Sequence, residues 1–251
     1  MKVLFVGAGP GDPELLTVKA LRLLRTCRCC IYAGSLVSPQ VLAEIPPSAE
    51  CHDSASMTLP QVVEVYRQAS KQNMDVVRLH SGDPSIYGAI NEQMRELDEL
   101  GIDYEVVPGV STFQAAAAAL KTELTSPEVS QTIILTRCAG RTPLPASQEI
   151  ARLAEARATL CIFLSVGRIE ELAQTLALQY GSDCPIAIVY RASWPEQAII
   201  RGTLADIAGK AAAEQISRTA MIIVGRALVP GEMVSRLYAS EFSHGYRKGT
   251  D

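Results

Sequence analysis

Short apolar runs alternate with amphipathic stretches along the whole chain, a pattern that predicts an α/β protein. In the N-terminal half, residues 3–6, 76–79 and 104–107 are apolar runs of the kind that form buried strands. Residues 59–72 and 86–100 place apolar side chains at helical spacing, and each segment lies between predicted strands. Strands that alternate with helices favour a mainly parallel sheet.

The C-terminal half predicts a second sheet, with mixed pairing. Strand runs lie at residues 131–137, 160–164, 186–190 and 220–224, and residues 197–202 are expected to form an antiparallel return. The pattern is interrupted around residue 121, which indicates a domain boundary. We therefore predict an N-terminal α/β domain of residues 1–120, a C-terminal α/β domain of residues 121–230 and a tail of residues 231–251.

Two glycine-bearing loops are the most informative segments of the chain. Residues 7–12, Gly-Ala-Gly-Pro-Gly-Asp, follow the first strand run. Residues 80–88, His-Ser-Gly-Asp-Pro-Ser-Ile-Tyr-Gly, follow the run at 76–79. Ligand sites of open α/β sheets lie at the carboxyl ends of parallel strands, so we expect both loops to contribute to one site.

The first loop fits a dinucleotide site poorly. The third glycine of the phosphate-binding fingerprint is replaced by Asp12, whose carboxylate would repel a pyrophosphate at a helix start. The next strand run ends in Gly34-Ser35, where such sites carry an acidic residue. A nicotinamide-dependent oxidoreductase is therefore disfavoured. The simplest structural alternative is a strand-to-helix turn, with Asp12 as N-cap and Pro13 as the first helical residue.

The composition of the chain argues against several classes of binding partner. The 251-residue chain has a net charge of -4 and a pI of about 5.5, so a nucleic-acid partner is not expected. No run reaches the roughly 18 apolar residues of a membrane span, and a membrane partner is not expected either. Seven cysteines without a visible secretion signal favour the cytoplasm. Cys27, Cys29 and Cys30 have no second set of ligands at matching spacing, so we predict buried thiols and no metal site.

Taken in chain order, three motifs resemble those of the tetrapyrrole methylase family. They are the opening loop at 7–12 with Leu-Leu-Thr at 15–17, the segment Ser-Gly-Asp-Pro at 81–84, and Pro-Gly-Val-Ser-Thr at 108–112. The resemblance covers about residues 2–228. It implies two α/β domains, an interdomain cleft for S-adenosyl-L-methionine (SAM), S-adenosyl-L-homocysteine (SAH) as product, and a homodimer.

Within the family, residues 32–37 and 80–88 are similar to the branch that methylates C11 of precorrin-4 in cobalamin biosynthesis. Uroporphyrinogen-III methyltransferases generally carry an acid where this chain has Ala33, which counts against that acceptor. The cobalt-containing counterpart, another precorrin and uroporphyrinogen III remain open as acceptors. A non-catalytic pigment-binding protein remains open as a different class.

The resemblance also implies the cofactor-binding residues. Gly82 lets the backbone approach the methionine part of SAM, and Ser111 with Thr112 begins a helix whose N-terminus favours the cofactor carboxylate. N-capping is the structural alternative for this pair, and an Asp-Pro turn is the alternative for Asp83. The complete cofactor set is Pro10, Ser81, Gly82, Asp83, Ile86, Tyr87, Ser111, Thr112, Leu164, Ala192, Thr219 and Ala220.

A polycarboxylate macrocycle as substrate requires cations, and the arginine fork binds carboxylates bidentately. The nucleophile in methyl transfer is the electron-rich tetrapyrrole carbon, so the chemistry requires no serine, cysteine or metal, and we name no catalytic acid or base. The candidate substrate-binding residues are Tyr32, His80, Arg137, Arg141, Arg168 and Arg191.

Overall fold

Two five-stranded sheets organise the chain into two compact units. The computed structural model describes residues 1–140, 142–229 and 239–249. The first unit comprises Met1–Ala116 together with Arg191–Gln197, and the second comprises Ala117–Tyr190 and the residues from Ala198 onward. The sequence-based domain limits stay a prediction. They do not anticipate that the segment Arg191–Gln197 packs with the N-terminal unit.

The first sheet is entirely parallel, as predicted, with strand order β3-β2-β4-β1-β5. Its central strands are apolar along their length because helices cover both faces. Sequence reasoning missed β3, whose short polar sequence Glu-Cys-His-Asp shows no apolar run. The strands are β1 (Lys2–Gly7), β2 (Cys29–Tyr32), β3 (Glu50–Asp53), β4 (Val76–His80) and β5 (Asp103–Val107).

Among the described residues, five α-helices surround the first sheet, and their N-termini depend on local capping and backbone conformation. Thr58 and Gln61 form a capping box at the start of the third helix. The prediction of a helix over residues 86–100 is wrong at its start, because Tyr87 and Ala89 have φ values of 55° and 50°. The helices are α1 (Val18–Thr26), α2 (Pro39–Leu42), α3 (Leu59–Lys71), α4 (Ile90–Leu100) and α5 (Thr112–Leu120).

The second sheet is mixed, as predicted, with strand order β6-β7-β10-β8-β9. Only β6 and β7 are parallel, and β9 is the expected antiparallel return. The predicted strand at 160–164 ends one residue early because Leu164 has a φ of 53°. The strands are β6 (Ile133–Arg137), β7 (Thr159–Phe163), β8 (Pro185–Tyr190), β9 (Ala198–Thr203) and β10 (Ala220–Val224), with helices α6 (Ile150–Ala154), α7 (Ile169–Tyr180) and α8 (Ile207–Ala213).

Each unit has its own core. Phe5 and Tyr66 are fully buried on one face of the first sheet, and Val6 and Leu79 on the other. Ile162, Leu176 and several further aliphatic side chains fill the core of the second unit. None of the helices within the described residues is long and apolar enough to cross a membrane.

The cysteines are mostly buried. Cys27, Cys29, Cys30, Cys161 and Cys184 lie in the interior, whereas Cys51 is exposed. Cys138 is half-buried and follows β6 directly. In the part of the chain that the structure describes, no three histidine, cysteine or acidic side chains are grouped to hold a metal ion.

Candidate active site

Three glycines from the three motifs pack against one another at the carboxyl edge of the first sheet. Gly7 ends β1, Gly82 follows β4 and Gly109 follows β5, and these strands are neighbours in the sheet. A Cβ atom on Gly7 would lie 2.6 Å from the Cα of Gly109 and 2.6 Å from the carbonyl oxygen of Gly82. A Cβ on Gly109 would collide with the same oxygen. Any side chain here would push the loops apart.

Backbone hydrogen bonds join the first two motifs directly. The Gly82 N–H donates to the Gly9 carbonyl at 2.8 Å, and the Gly9 N–H donates to the Gly82 carbonyl at 3.2 Å. The Ala8 N–H donates to the His80 carbonyl at 2.7 Å. Gly9 and Gly82 have φ values of 65° and 63°, a conformation that strains most side-chain-bearing residues. The paired geometry therefore explains why glycine occupies both positions.

The Asp83 side chain joins the second motif to the third. Its Oδ2 accepts a hydrogen bond from the Gly109 N–H at 2.9 Å, and its Oδ1 accepts one from the Ser85 N–H at 2.8 Å. The Ser85 hydroxyl also donates to Oδ1. Partial burial acts to raise the pKa of Asp83, but the hydrogen bonds from Ser85 and Gly109 outweigh it and lower that pKa. Asp83 is therefore an ionised clamp between two loops.

The third motif ends in a helix start that contacts the second motif. Ser111 is 3% exposed, and its carbonyl accepts hydrogen bonds from the first turn of α5, from Gln114 and Ala115. Its own N–H donates to Gln114 Oε1 at 2.9 Å. A Cβ on Gly82 would make ordinary contact with the Ser111 Cα, at 3.6 Å. The α5 N-terminus thus lies beside the bare backbone of Gly82, which suits an anionic group.

A strained segment follows the second motif. Tyr87 and Ala89 adopt left-handed φ values, and a Cβ on Gly88 would collide with the Pro84 carbonyl. Ile86 is half-buried, and Tyr87 is 47% exposed. Strain of this kind, about 1–3 kcal/mol per residue, concentrates at ligand sites. Ile86 and Tyr87 stay predicted cofactor contacts, and their backbone geometry is consistent with that role.

The loop Arg191–Gln197 packs on the first motif through Ser193 and Trp194, two residues that sequence reasoning missed although it named Arg191 and Ala192. The Trp194 indole N–H donates to the Pro10 carbonyl at 2.8 Å, and the Asp12 N–H donates to the Ser193 hydroxyl at 3.0 Å. A Cβ on Gly11 would collide with the Trp194 ring. Trp194 is the single tryptophan of the chain, and it lies in a loop between two predicted strands. A lone tryptophan in a loop is the sequence signal that could have identified this contact.

Tyr32 and His80 end neighbouring strands of the first sheet but differ in exposure. Tyr32 is half-buried, and burial together with nearby Asp53 raises its pKa. His80 is 4% exposed, and its Nε2 has no hydrogen-bond partner among the described residues. Burial, together with the charge of Arg78, lowers the pKa of His80 to about 3, so the ring is neutral at pH 7. This burial argues against direct contact between the His80 ring and a substrate.

The four candidate arginines have different surroundings. The Arg137 guanidinium donates to the carbonyl oxygens of Cys138, Thr142 and Pro143. Arg168 pairs with Glu171 at 2.6 Å and lines a cavity of about 290 Å³ in the second unit. Arg191 lies in the same unit as the three motifs, with its guanidinium carbon 4.9 Å from the centre of the Trp194 ring. Arg141 lies outside the described residues.

Three predicted cofactor contacts of the second unit, Leu164, Thr219 and Ala220, lie at one edge of the second sheet. Leu164 follows β7 and is 71% exposed, with a left-handed backbone that is unusual for leucine. Ala220 begins β10 opposite Tyr190, the last residue of β8. Thr219 precedes it with a φ of 54°. Ala192, just beyond β8, is 1% exposed.

The model of the family described as Tetrapyrrole (Corrin/Porphyrin) Methylases matches residues 2–208. The chain belongs to this family. This tetrapyrrole methylase is 52% identical over 250 residues to the precorrin-4 C(11)-methyltransferase of Pseudomonas aeruginosa, a match that covers 99% of this chain and 100% of that relative.

Solved structures show the same fold. The crystal structure of a cobalt precorrin-4 methyltransferase from cobalamin biosynthesis matches the tetrapyrrole methylase with a TM-score of 0.88 and 42% identity, covering 91% of this chain and 96% of that one. Uroporphyrin-III C-methyltransferase from Thermus thermophilus, solved with S-adenosyl homocysteine, matches with a TM-score of 0.75 and 29% identity, covering 91% of this chain and 99% of that one.

Proposed function

We propose that this tetrapyrrole methylase transfers the methyl group of SAM to C11 of precorrin-4, giving precorrin-5 and SAH in cobalamin biosynthesis. The observation that supports this most directly is the contact among Gly7, Gly82 and Gly109, which brings the three motifs into one site. The near-full-length identity to a precorrin-4 C(11)-methyltransferase supports the choice of acceptor.

The residues of the site fit the proposed cofactor. The bare backbone of Gly82 lies beside the α5 N-terminus, which with Ser111 and Thr112 suits the carboxylate of the cofactor. Asp83 supports this surface by fixing the second motif to the third. When bound, SAM supplies an electrophilic sulfonium methyl group. The remaining proposed contacts are Pro10, Ser81, Ile86, Tyr87, Leu164, Ala192, Thr219 and Ala220.

The work of the protein in this reaction is to position the reactants and exclude water, which can lower a barrier by several kcal/mol when the reacting atoms are aligned. The electron-rich carbon of the tetrapyrrole is the nucleophile. The neutral, buried His80 ring is poorly placed to transfer a proton to it. We therefore name no catalytic acid or base, and Tyr32 is the proposed hydrogen-bonding residue near the macrocycle.

The closest functional alternative is the same methylation on the cobalt-containing substrate, because a relative named for that substrate has the same fold. Uroporphyrinogen III is a weaker candidate, since Ala33 stands where its methyltransferases generally carry an acid. We also propose a cytoplasmic location, on the cysteine content, and a homodimer, on the family resemblance alone. Light scattering of the purified protein would test the dimer.

The proposed reaction is tested by incubating the purified chain with methyl-labelled SAM and freshly generated precorrin-4. Cobalt-precorrin-4 and uroporphyrinogen III are offered in parallel, and the pigments are analysed by mass spectrometry and NMR. Label at C11 of the precorrin-4 product supports the proposal, whereas label on uroporphyrinogen III alone contradicts it. Pigment binding without any label would identify a non-catalytic pigment-binding protein.

A further inference from the structure

The loop Arg191–Gln197 is held in a conformation that its own sequence does not favour. It joins the antiparallel strands β8 and β9, and two of its non-glycine residues, Arg191 and Ser193, have φ values of 43° and 69°. Left-handed backbone at such residues costs about 1–3 kcal/mol each and persists only where the surroundings impose it. Contacts outside the loop must therefore hold it in place.

Trp194 provides the main anchor. The side chain is 9% exposed, its indole N–H donates to the Pro10 carbonyl, and its ring lies against Gly11. Ser193 adds a second attachment through the Asp12 N–H. A buried aromatic ring with a satisfied N–H has little freedom to move. The loop and the first glycine motif are therefore fixed to each other.

The same indole ring supports a cation. The Arg191 guanidinium carbon lies 4.9 Å from the ring centre, within the range of a cation–π interaction. One guanidinium nitrogen also pairs with Glu196 at 3.4 Å, where the glutamate side chain is 60% exposed. The Arg191 side chain is 33% exposed, so water partly screens the pair and an incoming carboxylate can replace Glu196.

We propose that Trp194 is a positioning residue that holds Arg191 beside the first glycine motif, and that a substrate carboxylate displaces Glu196 from Arg191 on binding. The inference rests on the proposed function, because it takes a polycarboxylate tetrapyrrole as the ligand. Glu196 occupies the guanidinium in the absence of substrate. Trp194 keeps the guanidinium in place when the exchange occurs.

Opposite effects of substitutions on the same loop test this proposal. Arg191→Gln should raise KM for precorrin-4 about tenfold, and Glu196→Gln should lower it about threefold by removing a competing charge. The kcat and the Kd for SAH should stay within about twofold, because neither side chain is proposed to touch the cofactor. Glu155→Gln, which removes the partner of the exposed Arg152, is the control.

Coupling between Trp194 and Arg191 provides the second measurement. Trp194→Phe keeps a ring but loses the bond to Pro10, and Trp194→Leu loses both interactions. In the Trp194→Leu background, Arg191→Gln should raise KM less than about twofold further, because the guanidinium no longer rests on the indole ring. Additive effects, or an increased KM for Glu196→Gln, would overturn the proposal. Thermal melting identifies any variant that fails to fold, and Trp194→Phe is then the variant compared.

A binding assay that needs no turnover distinguishes failure of the proposed reaction from failure of this inference about Arg191 and Trp194. Trp194 is the only tryptophan, so energy transfer to a bound pigment quenches its fluorescence and reports binding to the protein, and the loop variants show whether this loop takes part. If the wild-type chain methylates none of the offered tetrapyrroles, uroporphyrin III is titrated as the probe with the wild type, Arg191→Gln and Glu196→Gln. Quenching that weakens in the first variant and strengthens in the second supports the inference, and absent quenching overturns it.

Discussion

The Asp83 carboxylate and the Gly109 N–H, 2.9 Å apart, tie together two loops that are separated by an entire helix and strand. Neither oxygen of Asp83 is left without an internal donor, since Ser85 occupies the other. The role of Asp83 in this structure is therefore to fix the loops. We expect Asp83 to act on cofactor binding indirectly, by holding the backbones of Gly82 and Gly109 in place.

Asp83→Ala should weaken SAH binding about tenfold or more while leaving the protein folded, because the second and third motifs lose their link. Isothermal titration calorimetry measures the Kd. Asp103→Ala, at an exposed position at the start of β5, is the control and should leave the Kd unchanged. An unchanged Kd for Asp83→Ala would remove this clamp from the binding site.

Gly109→Ala should disrupt the site more severely than any loss of a side chain. The added Cβ would meet the Gly82 carbonyl and the Gly7 backbone, and neither can move without opening the joined loops. We expect a loss of about 2–4 kcal/mol in the free energy of unfolding, measured in urea, together with weaker SAH binding.

Gly209→Ala is the matched control for this substitution. Gly209 lies within α8, and a Cβ there has nothing within 4 Å among the described residues. Alanine should therefore stabilise the helix by about 0.5–1 kcal/mol. Equal effects of the two substitutions would mean that the contact among Gly7, Gly82 and Gly109 does not constrain the loops.

Gln93 should be essential for stability because it satisfies a buried guanidinium. Gln93 Oε1 accepts hydrogen bonds from Arg78 Nε at 3.1 Å and from the Tyr66 hydroxyl at 2.8 Å, and its amide donates to the Ala89 carbonyl. Gln93→Leu leaves the buried charge of Arg78 poorly solvated and should cost about 3 kcal/mol of unfolding free energy. Gln68→Leu, on the exposed face of α3, should cost under about 0.5 kcal/mol.

His80 should make stability depend on pH. Its pKa is lowered from 6.5 to about 3 in the folded protein, so the unfolded chain binds a proton first as pH falls. The stability from this site is complete above about pH 6.5 and decreases with a slope of up to about 1.4 kcal/mol per pH unit below it. His80→Leu should flatten this slope in urea unfolding between pH 7.5 and 5. His244→Gln, a substitution in an exposed segment, is the control and should leave this slope unchanged.

Much of the fold could be predicted from the sequence. Apolar runs with intervening amphipathic segments specified the parallel first sheet and the mixed second one, because burial on both faces demands such runs. Two of the errors made from the sequence have identifiable physical causes. The polar strand β3 is held by pairing with β2, and the helix expected over 86–100 starts late because Tyr87 and Ala89 are in left-handed conformations.

The sequence by itself determined which chemistry the chain presents: glycine loops at strand ends, in an order that resembles one family, with no nucleophilic triad required. The tertiary structure decided how those residues are used. In the folded chain, the Asp83 carboxylate links the second motif to the third, and the His80 ring is buried and neutral. Arg191 lies over the Trp194 ring and is the candidate cation for a substrate carboxylate. These roles depend on contacts between residues up to 184 positions apart, such as Trp194 and Pro10. Local spacing constrains neighbouring residues, but only the folded chain brings such distant partners together.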